Sequence, residues 1–134
     1  MKYTIPIIII LGLSAPTVMA GTTTVEQLLE SYRQQGAHEF DNRAGEKFWQ
    51  QSFRDKKNGK TRSCTSCHTQ NLSNPGRHVK TRKRIEPLSP TVNPERLSDI
   101  RKVKKWFRRN CKWTLGRECT AQEKGNVLLY LQSQ

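Results

Sequence analysis

The sequence predicts an all-α fold, a small bundle of helices joined by long loops. Three observations point there. Apolar residues recur at helical spacing in four separate stretches. No segment alternates convincingly as a strand would. Residues 69–94 hold four prolines, few apolar residues and no sustained period, and they divide the early helices from the late ones.

The elements follow in chain order. Lys2, the short apolar run Ile5 to Leu13 and the small residues Val18 and Ala20 read as a secretory signal peptide over residues 1–20, cut after Ala20. The run is too short to span a bilayer, which needs about 20 apolar residues. Residues 21–134 then form one domain. Residues 21–24 are a frayed start. Val25 to Gln35 is a helix with Val25, Leu28, Leu29 and Tyr32 on one face, stopped by Gly36. A second helix runs from about Asn42 to Phe53, and residues 55–62 are a polar, basic loop. Ser98 reads as an N-cap with Asp99 in the first turn, opening a helix that ends near Asn110. Thr120-Ala121-Gln122-Glu123 is a capping box, and it opens a last helix carrying Val127 to Leu131.

The chain of 134 residues carries a formal charge of +13, which loss of Lys2 with the signal lowers by one. Export argues against nucleic acid as the partner of this excess and favours an acidic protein or an anionic surface. Only 34% of residues are hydrophobic, so the core is modest and benefits from a covalent staple. All four cysteines lie beyond the signal, in a chain whose export permits a disulfide.

Cys64-Thr65-Ser66-Cys67-His68 is C-x-x-C-H, the attachment signal for a c-type haem. Two thiols three positions apart can reach the two vinyl groups of one porphyrin and form thioethers. The next residue then lies under the iron as its proximal ligand. Two other chemistries share part of this pattern. A zinc site could pair Cys64 and Cys67 with Cys111 and Cys119, but seven residues between the second pair exceed the usual zinc spacing. A redox dithiol would want a βαβ setting, which the pattern lacks.

The two methionines, Met1 and Met19, both fall in the signal, so the methionine that commonly closes the sixth position on a c-type iron has no candidate here. His38, His78, a lysine, a softer oxygen or nitrogen donor, or nothing remains. His38 precedes the motif and reads as a surface residue; His78 keeps bis-histidine ligation open.

Gly45-Glu46-Lys47-Phe48, the C-x-x-C-H motif and a last helix ending Leu129-Tyr130-Leu131 resemble class I cytochromes c, in which the first and last helices cross at a glycine. Gly45 and Tyr130 match the two sides of that crossing. Ile85 to Arg96, Lys105 to Cys111 and Gly116 to Thr120 are similar to a narrower family, the sphaeroides haem protein group of small oxygen-binding c-type cytochromes, once described only as a domain of unknown function. That resemblance runs from about Ala44 to the end of the chain. It implies one covalent haem c held by Cys64, Cys67 and His68. It implies Asn110 as distal ligand of the ferric iron, and a Cys111–Cys119 bridge fixing the segment that carries it. In that family the asparagine leaves on reduction and opens a site for oxygen, carbon monoxide or nitric oxide.

Arg101, Lys102, Lys104, Lys105, Arg108 and Arg109 crowd the helix before Asn110, and Lys80, Arg82, Lys83 and Arg84 form a second basic cluster. Such a surface is either a solvated face or one that steers an acidic redox partner; for the partner, the resemblance implies a multihaem cytochrome c and, behind it, a membrane cytochrome b. The expectation is a periplasmic monohaem cytochrome that passes electrons and binds diatomic ligands when reduced. A reductase of oxygen, nitric oxide or peroxide, and a plain six-coordinate carrier, are the alternatives.

Overall fold

Thr23 starts the first helix with a reciprocal cap: its hydroxyl accepts from the Glu26 N–H, and the Glu26 carboxylate accepts from the Thr23 N–H at 2.7 Å. The computed structural model describes residues 22–55 and 58–134; the expected signal peptide lies outside them. Five helices occur in this region: α1 (Thr24–Gln34), α2 (Asn42–Gln50), α3 (Thr65–His68), α4 (Ile100–Leu115) and α5 (Ala121–Gln132). Among the described residues no helix is long and apolar enough to cross a membrane.

The strands are the first departure from expectation. β1 (Phe53–Arg54) pairs antiparallel with β2 (Thr61–Arg62), and β3 (Gly76–Arg77) with β4 (Arg84–Ile85). At two residues each they are too short for a period of two to show in the sequence. β1 also shortens the second helix. Gln51 has left the helical region (ψ 137°), and Phe53 pairs with Arg62 instead of continuing the helix.

α4 corrects two boundaries. Its N-cap is Asp99, not Ser98: the Asp99 carboxylate accepts from the Arg101 and Lys102 N–H groups at 2.8 and 3.1 Å. The helix runs on past Asn110 to Leu115. Asparagine is a helix stop chiefly in the left-handed conformation, and α4 takes that turn at Gly116, φ 74°, whose N–H donates to the Lys112 carbonyl. Asn110 and Cys111 are therefore helical. Thr120 and Glu123 form the expected capping box on α5, and Arg117 grips Glu123 from outside at 2.6 Å.

Two apolar clusters meet on α5. Val25, Leu28, Leu29 and Tyr32 of α1 pack with Val103 and Leu128. Trp49, Leu72, Val127, Tyr130 and Leu131 form the second cluster, next to the cysteine motif. α2 crosses α5 at Gly45, where a Cβ would collide with the Asn126 carbonyl and the Tyr130 side chain. The long loop folds back on itself: Leu72 is fully buried, and its carbonyl accepts from the N–H groups of Leu88 and Ser89.

Candidate haem site

The motif is built on one helical turn. β2 delivers the chain to Ser63, whose N–H donates to the Ser66 hydroxyl while its carbonyl accepts from the Ser66 N–H. Cys67 and His68 both donate to the Cys64 carbonyl, at 3.3 and 3.2 Å. Residues three apart on such a turn share a face, so Cys64 and Cys67 stand side by side. Both are unpaired thiols, each half-buried. β3 runs across the motif at Gly76, where any Cβ would strike the Cys67 carbonyl.

Burial sets the protonation states. It pushes the Cys64 thiol up to about 12, with the neighbouring Cys67 adding to the rise. Burial, and then the positive charge of Arg96, push His68 down to about 4. The imidazole is therefore neutral at ordinary pH, the form in which histidine binds a metal. Arg96 is anchored by two carbonyls: Nε donates to Pro87 and Nη2 to Glu86, both at 2.8 Å. Asn93 also donates to the Pro87 carbonyl. Trp49 closes this side, its ring 5.5 Å from that of His68. Its indole N–H is buried, with no hydrogen-bond partner among the described residues.

These features fit a covalent haem c. Two adjacent free thiols and a neutral imidazole are the donor set that attachment and proximal ligation need. A buried indole N–H beside the imidazole is costly unless it meets an acceptor, such as a carboxylate of a bound group. The zinc alternative finds no such support. Cys111 and Cys119 are bonded to each other, with an S–S distance of 2.00 Å, and no group of three or more His, Cys, Asp or Glu residues suited to a metal exists among the described residues.

Asn110 lies exposed on α4, and its amide has no hydrogen-bond partner among the described residues. His78 is held in the β3–β4 turn, where Nδ1 meets the Thr81 N–H and hydroxyl at 3.1 Å. His38 is exposed beyond α1, its backbone N–H donating to Gln122.

Sequence reasoning missed a clamp that ties the motif to α4. Arg62, two residues before Cys64, donates to the Trp113 carbonyl at 2.7 Å and to Asp55 at 3.1 Å. Its guanidinium also lies 4.8 Å from the centre of the Trp113 ring. The Arg62 and Asp55 side chains are only 16% and 13% exposed. Arg96 and Trp49 were missed as well. Only their closeness to His68 marks them, and that closeness exists only in the folded chain.

Comparison with known proteins agrees with this geometry. Residues 35–131 match the protein family described as "Domain of unknown function (DUF1924)". The cytochrome c-type protein SHP of Cereibacter sphaeroides is 33% identical over 129 residues, covering 95% of this chain and 97% of that protein. Cytochrome c'' of Methylophilus methylotrophus is 40% identical over 90 residues, 67% of this chain; the match spans 62% of that relative's length. The structure of oxidised SHP, described as an oxygen-binding cytochrome c, superposes with a TM-score of 0.74 at 32% identity, covering 85% of this chain and all of that one (100%). The crystal structure of oxidised cytochrome c'' gives 0.72 at 34% identity, with 85% and 97% covered. The expected class I cytochrome c fold is thus the observed one.

Proposed function

Because the chain belongs to the DUF1924 family, with SHP and cytochrome c'' as relatives bearing one covalent haem c, we propose that it is an exported monohaem cytochrome that transfers electrons and takes up a diatomic ligand when reduced. The observation that carries this reading is the turn Cys64–His68: two half-buried free thiols beside an imidazole that burial keeps neutral.

Cys64 and Cys67 would tether the haem as thioethers, and His68 would ligate its iron. Haem c, when bound, supplies a one-electron centre able to receive oxygen, nitric oxide or carbon monoxide. Asn110 offers a weak, neutral amide on the other side. Such an amide could hold ferric iron and yield when the iron is reduced, which would leave room for a gas molecule. No methionine stands downstream of His68 to compete for that position. The Cys111–Cys119 bridge and the Arg62–Trp113 clamp hold the helix that presents Asn110. The exposed cations of α4 would draw an acidic redox partner, a multihaem cytochrome by family resemblance. The domain would be residues 21–134, in the periplasm after removal of residues 1–20.

Asn110→Val tests the ligand set. The ferric haem protein should change from low-spin or mixed-spin to high-spin in its optical and electron paramagnetic resonance spectra. An unchanged ferric spectrum removes Asn110 from the iron and favours His78 or a lysine.

A further inference from the structure

α4 carries two tryptophans, Trp106 and Trp113, and they sit on either side of Asn110 in the same stripe. At 3.6 residues per turn, positions four and seven apart return to nearly the same face. Trp106, Asn110 and Trp113 have that spacing. Cys111, Val103 and Thr114, on the adjoining face, are buried in the protein. The 106–110–113 stripe is more open: Trp106 is 49% exposed, Asn110 is exposed and Trp113 is half-buried.

A second, independent contact ties this stripe to the strand that leads into the attachment cysteines. The Arg62 guanidinium, two residues before Cys64, lies over the Trp113 ring and donates to its carbonyl. The stripe therefore starts within one side chain of the strand that runs into Cys64. Trp106 is at its far end, flanked by Arg109 and Lys105 at 5.2 and 6.0 Å from the ring centre.

We propose that Trp106 and Trp113 are the distal walls of the haem site, with Trp106 at the mouth through which a diatomic ligand enters. This rests on the reading of Asn110 as the distal ligand and adds to it. Trp113, pinned by Arg62, fixes the inner wall. Trp106, 49% exposed and flanked by two cations, is the wall that can give. An indole body is large enough to shield much of one haem edge from water while a two-atom ligand slips past. Selection is then by size.

The test uses the haem-loaded protein. In its diamagnetic ferrous carbonyl form, proton NMR should show nuclear Overhauser contacts between the Trp106 indole and haem substituent protons. Trp106→Ala should raise the carbon monoxide association rate roughly tenfold, a barrier change of about 1.4 kcal/mol, and Trp106→Phe should raise it less. Absence of those contacts, or an unchanged rate in Trp106→Ala, overturns the proposal. An unchanged rate with weakened binding of an acidic partner protein also overturns it and makes Trp106 a docking residue. The ferric spectrum of Asn110→Val is the separate arm. If it does not change, the underlying ligand assignment fails whatever Trp106 does.

Discussion

Gly45 and Asn126 touch backbone to backbone where α2 crosses α5: a methyl group at Gly45 would overlap the Asn126 carbonyl. The approach is locked from the side, because the Asn126 amide oxygen accepts from the Asp41 N–H at 3.0 Å and from Gln122 at 3.0 Å. This crossing brings Trp49 and Tyr130 together behind His68, so the helix pair sets the back wall of the site.

Gly45→Ala should therefore destabilise the protein by at least the 1–3 kcal/mol typical of an overpacked core. The usual helix benefit of alanine should not show. Urea unfolding of the haem-loaded protein checks this. Stability equal to or above that of the parent would mean that the helices do not approach as described.

The Cys111–Cys119 bridge closes a loop with a sequence separation of 8. A loop that short contributes about 2–3 kcal/mol in the chain-entropy picture. Cys111→Ser with Cys119→Ser should cost about that much in urea. It should also loosen the ferric ligation, seen as a larger high-spin fraction, because the second half of α4 then hangs on Arg62 and Gly116. A double variant with an unchanged spin state would separate the bridge from the ligand's placement.

The candidate site is half legible in the sequence, and the dividing line is physical. Cys64, Cys67 and His68 could be read because their chemistry needs adjacency in the chain, and one helical turn supplies the rest. Thr120 and Glu123 were legible for the same reason: a cap is local. Asn110 does not end α4 as its residue type suggests, because asparagine favours both caps and ordinary surfaces, and the left-handed Gly116 decides where α4 stops. Arg62, Arg96 and Trp49 were not readable. Each acts across the fold, through Trp113, Pro87 and His68, and a lone Arg or Trp carries no signal of its distant partner. The two-residue strands escaped notice because their pairing, not their composition, defines them.

Tyr32 gives a pH dependence. Burial in the first apolar cluster pushes its phenol up to about 12, above the value near 10 of an unfolded chain. The native state thus keeps a proton that the unfolded state gives up. The stability this supplies is fully present below pH 10 and is lost as the pH rises toward 12. Tyr32→Phe should flatten that part of the stability curve relative to the parent, measured by urea unfolding across the alkaline range. Parallel curves for the two proteins would show that Tyr32 ionises as freely when folded as when unfolded.

His68 would hold the iron on one side, with only a weak ligand opposite that leaves when the iron is reduced. The optical spectrum of the dithionite-reduced protein, before and after carbon monoxide, tests it most directly. High-spin ferrous haem that converts promptly to a low-spin carbonyl form is the predicted result. A ferrous spectrum already low-spin and indifferent to carbon monoxide would contradict it.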